Sequence, residues 1–513
     1  MPADSNDLLA LLSSSALVVL GVAFSSVSRL LERIIIARTF SPAVYGEVTL
    51  GIAIMTIGTS VSLVGLNEGV PRYVSRFEDQ RDVRGVWSFG LLMALCTSLV
   101  LSGILLANVG PIVSYLFDDP SSGRLLRLFI FTIPLNVVLL VGVGTLRGME
   151  NTRYKLYAKD LLRPGSRLLL LFLMLSAGMS LLAVGYAYMV ATLVGIAVTY
   201  LFVNRLVTLI GPVQSNVREL ITYSAPLIVT MLLTVLLAQT DTLMLGYFRS
   251  SNEVGLYNAA YPLANSLFLF VSAFGYLYLP QASRLDAEGR RQDVTDIYQV
   301  ITKWGYVVTF PAFLAFIVFP KDIITMFFGA DYTSGGIALA LLSFGFFTSA
   351  ALGRNRSTLS AFGYTTYILA ADIVTIVTNV VLNLALIPAY GFVGAAVAST
   401  AAYIARNVIV SMFLYVKFDI SPFSRATVRT YAVLPAVLIP LSFIASRWIS
   451  LTSITLLPFL VVAGIAGIVL VSATGSLQPE DAVIVEFVEN RIGVEVPYVH
   501  SYLPSGDATP FDD

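Results

Sequence analysis

Residues 28–38 read SRLLERIIIAR and lie late in an apolar run that begins at Leu8. Arg29, Glu32 and Arg33 are spaced i, i+3, i+4, so on a helix they share one face. A charge at membrane depth costs about 2.5–3.5 kcal/mol on insertion scales, so that face must look into protein or into a wet cavity. Two chemistries fit. In the first, Arg29, Glu32 and Arg33 line a substrate site, where guanidinium forks grip the oxygens of a phosphate or pyrophosphate. In the second, Glu32 and an arginine form an internal ion pair that staples helices together.

A second cluster, KDLLRPGSRLLL, starts at Lys159. Lys159 reads as cytoplasmic surface. Arg163 and Arg167, four apart, extend into an apolar stretch that Pro164 and Gly165 loosen. Arg163 is as readily explained by snorkelling to headgroups as by substrate contact. Arg167 lies deeper and is the better substrate-binding candidate. A third group is neutral and acidic: Asp241, the pair Asn379 and Asn383 four apart, and the hydroxyls Ser399 and Thr400. These reach a similar depth in the outer half of their spans. A carboxylate among neutral oxygens suits a hard cation such as Na⁺; a hydrogen-bonded network with a protonatable Asp241 is the alternative. Asp372, nearer the cytoplasmic end, reads as the partner of an arginine.

The elements that position these residues follow from composition. The chain has 513 residues, 57% hydrophobic and 12% charged, about half the charge of a soluble domain. Apolar windows of roughly 20 residues recur from end to end, each long enough to cross a bilayer, and none shows the alternation of a barrel strand. Helical spans are expected near 11–38, 44–69, 85–107, 124–147, 157–177, 180–204, 220–247, 254–279, 297–319, 335–353, 362–387, 392–416, 431–448 and 453–473. The fold class is an all-α polytopic membrane protein with about 14 spans.

Orientation follows from the loops. Arg72, Arg76, Arg81 and Arg84 follow span 2, and Arg147, Arg153, Lys155 and Lys159 follow span 4. Across the chain such loops outnumber the opposite side in Lys and Arg by roughly three to one, which places both termini in the cytoplasm. The start, MPADSND, lacks the basic region of a cleavable signal. Cys96 is the single cysteine; it reads as a small buried apolar residue and leaves no disulfide or Cys-based metal site. The formal net charge is zero, and no nucleic-acid partner is expected. Residues 474–513 are acidic and read as a solvated cytoplasmic tail with a short amphipathic helix around Pro479–Asn490.

The chain also repeats. At an offset of 209 residues Glu32 falls on Asp241, Ser41 on Ser250, Gly46 on Gly255 and Pro71 on Pro280. Six spans per half is an even number, so the halves are parallel repeats about an axis along the membrane normal. The expected organisation is a first six-helix bundle over 1–205, a second over 206–417, two further helices over 418–473 and the tail over 474–513.

With its charged first helix, the FSPAVYG turn and the late PAYGFVGAAVAST segment, the chain resembles the polysaccharide-transport flippases. These belong to the superfamily that also holds multidrug extruders and the lipid II flippase. The likeness covers roughly residues 8–473. It implies a transporter, working by alternating access around a central cavity, that moves an isoprenoid-linked sugar or oligosaccharide across the cytoplasmic membrane. It implies that glycan and membrane lipid as partners, with glycan-assembly enzymes as further ones. Asp241, Asn379, Asn383 and Thr400 match the layout of the lipid II flippase's sodium site, except that Asn383 stands where an acid is expected. Na⁺ or H⁺ is then the coupling ion, with no other cofactor.

There is no G-x-x-x-x-G-K-[ST] and no H-E-x-x-H, and the one histidine is His500. No catalytic activity is expected. The competing reading within transporters is an ion-coupled multidrug extruder, which a net-basic first helix and two extra spans do not favour.

Overall fold

The structure, a computed structural model, describes residues 5–214, 217–478 and 481. Among them every one of the 14 expected spans is helical. Ten helices are long and apolar enough to cross a membrane, and one of these, Thr365–Phe418, carries two expected spans. It is broken at Gly391, whose φ of 58° and ψ of −137° reverse the chain just after Pro388. That region is closed to residues with a Cβ. Gly391→Ala is therefore expected to cost about 1–3 kcal/mol, read as a lowered unfolding midpoint in detergent.

The fifth span departs from its expected form. A π-helix, Leu156–Leu162, precedes the α-helix Arg163–Ser176. Pro164 has no N–H for the carbonyl of Asp160 and its ring crowds that oxygen, so the turn widens by one residue. The second span also differs: Pro42–Leu63 ends at Val64 and Gly65, both left-handed, and a separate short helix, Leu66–Val74, follows.

Packing divides the chain into two compact units, Met1–Asn258 and Ala259–Asp513. In the first, Leu66, Val70, Val86, Ala94, Val137 and Leu220 form a buried helix-on-helix core. In the second, Tyr278, Val294 and Tyr298 pack in one cluster and Leu359, Ala371, Val410 and Leu414 in another. Large apolar side chains also point outward, as Val100, Phe172 and Leu457 do, which suits a hydrocarbon solvent. Cys96 corrects its expectation: it is exposed, on the same outward face as Leu92, Leu99 and Val100. Lipid is as apolar as a core, so a small apolar residue faces it without cost.

The sequence repeat has a physical counterpart inside the first unit. A Cβ on Gly46 would strike the carbonyl of Ser251, and one on Gly255 would strike the carbonyl of Pro42. Positions 42 and 251, like 46 and 255, differ by the same 209 residues. The first turn of Pro42–Leu63 and that of Ser251–Ala287 thus meet symmetrically, at a distance only paired glycines allow. Asp118 frames the contact by accepting a hydrogen bond from the Ser251 N–H at 2.7 Å.

Most of the acidic tail, including His500 and the helix expected around Pro479–Asn490, lies outside the described residues. Asp481 is described and is not solvated. It is fully buried against the helix Arg291–Val318, where it pairs with Lys303 and accepts a hydrogen bond from the Trp304 indole N–H at 2.8 Å. Lys303 also donates to the Ser476 carbonyl at 3.1 Å, and Arg429 to the Thr474 carbonyl at 2.6 Å.

Candidate substrate-binding cavity

The first unit holds a cavity of about 300 Å³ whose lining includes Arg29, Glu32, Arg33, Arg163, Arg167, Asn136, Tyr188 and Gln239. A second space of about 220 Å³ lies beside it, lined by Val22, Ser25, Arg29, Lys159, Asp160, Arg163, Pro164 and Arg167. Arg29, Arg163 and Arg167 belong to both, so an arginine wall separates two chambers. On the helix Ser5–Thr39 the charged residues fall on one face, as their spacing demands. The helix beginning at Arg163 sets its own two arginines one turn apart against them.

Three of the four arginines are held in different ways. Arg167 is paired with Glu32 at 2.5 Å, their side chains 11% and 3% exposed, and its guanidinium lies 4.2 Å from the centre of the Tyr188 ring. Arg163 donates to Asn136, which also meets the Thr192 hydroxyl at 3.4 Å. Arg29 donates to Ser25 at 2.8 Å and Ser26 at 3.0 Å. Arg29 and Arg163 are therefore steadied by neutral oxygens and, unlike Arg167, make no direct ion pair among the described residues. Arg167 Nε and Thr59 Oγ1 are buried and make no hydrogen bond among the described residues. Orphaned donors of this kind call for an explanation, and oxygens of a bound anion supply one.

All four substrate-site residues named from sequence, Arg29, Glu32, Arg33 and Arg167, line the larger cavity. Arg163 corrects its snorkelling alternative, because its side chain turns inward to Asn136. Asn136, Thr59, Tyr188 and Gln239 went unread; a lone Asn or Gln inside an apolar window is the signal that marks the first and last of these.

The residues proposed for a cation divide between the units. In the first, Asp241 is buried and accepts a hydrogen bond from the Tyr257 hydroxyl at 2.5 Å. In the second, Asn383 donates to Asn379 at 3.1 Å and Asn379 donates to the Ser399 hydroxyl at 3.1 Å. Thr400 turns aside to donate to the Leu341 carbonyl at 2.8 Å, so Ser399 is the hydroxyl that meets the asparagine pair. Asp372 is, as its position suggested, the partner of Arg356 through both carboxylate oxygens.

A family model described as "Polysaccharide biosynthesis protein" matches residues 11–286, and a second, MatE, matches residues 226–385. The "Probable low-salt glycan biosynthesis flippase Agl15" of Haloferax volcanii is 25% identical over 266 residues, 50% of this chain and 55% of the relative. The matched stretch thus spans about half the length of that relative. The "Probable flippase AglR" of the same organism is 23% identical over 350 residues, 66% of this chain and 70% of the relative. In three dimensions the chain is similar to the lipid II flippase MurJ in an inward closed conformation, with a TM-score of 0.70 and 13% identity over 89% of this chain and 97% of that one. A multidrug resistance MATE family transporter in an inward-facing conformation follows at 0.64 and 17%, over 76% and 95%. At such identities the likeness is one of fold: a polytopic helical membrane transporter.

Proposed function

Taking as premise that this chain belongs to the polysaccharide biosynthesis protein family, we propose that it is a flippase for an isoprenoid-phosphate- or pyrophosphate-linked sugar or oligosaccharide. The observation that carries the reading is the lining of the larger cavity, four arginines against the single carboxylate of Glu32. In a low-dielectric surround such a wall draws an anion strongly, and guanidinium forks match phosphate oxygens two at a time. A multidrug extruder that accepts cations would need the opposite sign. Relatives named as glycan flippases support the substrate class. The work is transport by alternating access across the cytoplasmic membrane, with both termini on the cytoplasmic side, and membrane lipid and glycan-assembly enzymes are its surroundings.

The test is loss of the gene with lipid-linked glycan followed by mass spectrometry. Accumulated lipid-linked glycan together with lost surface glycan supports the reading. Intact surface glycan with new sensitivity to cationic drugs would replace it with drug extrusion.

Asp241 is the proposed coupling acid for Na⁺ or H⁺. Asp241→Asn keeps a hydrogen-bond acceptor for Tyr257 while removing the charge. The variant is expected to flip substrate at a rate indifferent to an imposed sodium or proton gradient. A gradient response equal to the parent protein's would remove this site.

A further inference from the structure

Resting on the flippase reading, we propose that Glu32 is a resident anion, not a substrate ligand: it occupies Arg167 while the lipid phosphate is absent and so governs release of the headgroup. The arginines stand in two tiers. Arg29 and Arg33 are four apart on one helix, and Arg163 and Arg167 are four apart on another, a rise of about 6 Å in each case. Ser5–Thr39 and Arg163–Ser176 run in the same direction, since Gly21 faces Asp160 and, further along both, Glu32 meets Arg167, so their tiers climb together. The hydrogen bonds of the lower tier, Arg29 and Arg163, go to neutral oxygens of Ser25, Ser26 and Asn136. The upper tier differs, since Arg167 already carries a carboxylate at 2.5 Å.

A glutamate is the wrong sign for contact with phosphate. Its charge repels the ligand that the arginines attract, and its pairing with Arg167 must be given up before that guanidinium can turn its full fork to the headgroup. Tyr188 touches both partners, its ring 4.2 Å from the Arg167 guanidinium and its hydroxyl bonded to Glu32, so the pair is held as one unit that the headgroup must break to reach Arg167. Transport needs a site that binds well enough to load and weakly enough to unload. Without a competitor, a multiply charged headgroup among four guanidiniums would stay. Glu32 returning to Arg167 supplies the competition that ends each cycle.

A pure staple joining the two helices predicts the reverse of this on removal of the charge, because Arg167 would lose its anchor and affinity would fall. The experiment uses the full-length purified protein in detergent, with inorganic pyrophosphate as the probe, followed by calorimetry, and measures flipping turnover in proteoliposomes. In Glu32→Gln, pyrophosphate is expected to bind at least about tenfold tighter while turnover at saturating substrate falls. Should that variant fold poorly, Glu32→Asp keeps the charge at shorter reach and is expected to tighten binding by a smaller factor. Glu32→Gln combined with Arg167→Gln removes both charges and should return affinity to the parent value or below. Unchanged or weaker binding in Glu32→Gln and in Glu32→Asp overturns the inference and leaves the flippase reading standing. A parent protein that binds no pyrophosphate overturns both.

Discussion

Replacing Arg29 and Arg163 together by alanine is expected to abolish measurable flipping while the protein still reaches the membrane. Each of these arginines is hydrogen-bonded by neutral oxygens and lines both chambers, so neither is taken up by a direct ion pair as Arg167 is. A hydrogen bond to a charged group contributes about 1.5–3 kcal/mol, so losing two costs about 3–6 kcal/mol. At about 1.4 kcal/mol for each factor of ten, the rate should fall by roughly a hundredfold to ten-thousandfold. Lysine at both positions restores the charge without the fork and should recover only part of the loss. The readout is transfer of lipid-linked glycan in proteoliposomes, normalised to protein in the membrane. Alanine variants that flip at the parent rate would return both residues to a structural role.

The largest effect on stability is expected at the other end of the chain, from Asp481→Ala. Lys303 and Asp481 are both 0% exposed, and the carboxylate also receives the N–H groups of Trp304 and Gln478. Removing it strands a buried ammonium, which costs about 3–5 kcal/mol. The double variant Lys303→Met with Asp481→Leu removes both charges and should recover most of that loss, because an apolar pair needs no compensation. Unfolding midpoints in one detergent compare the three proteins. A single variant as stable as the parent would show that water reaches the pair.

The two ends of the molecule differ in how readable they were. The arginine cavity announced itself because a charge in an apolar window has few places to go, and i, i+4 spacing on a known helix dictates a shared face. Spacing alone put Arg29, Glu32 and Arg33 on one face, and packing brought Arg167 to the same cavity. Asp481 gave no such signal: surrounded by other acids in a polar stretch, it has the look of solvated tail, and only the fold brings Lys303 to it from 178 positions away. Arg163 was ambiguous for the same reason, since whether it rises to headgroups or turns inward depends on Asn136 in a different helix. The hydroxyl beside Asn379 could be Ser399 or Thr400 by sequence, and the roll of a helix chose Ser399.

By itself, then, the sequence determined the membrane class, the 14 spans, their repeat at 209 residues and the helix face that carries the charges. All of these rest on local physics, namely the transfer of side chains to hydrocarbon and the 3.6-residue period of the helix. The tertiary structure alone decided which arginine is neutralised and which stays available, that Glu32 chooses Arg167 over its own neighbours, and that Gly46 and Gly255 meet. Partner choice between distant charges depends on distances of a few ångströms across helices, and no pattern along one chain encodes them.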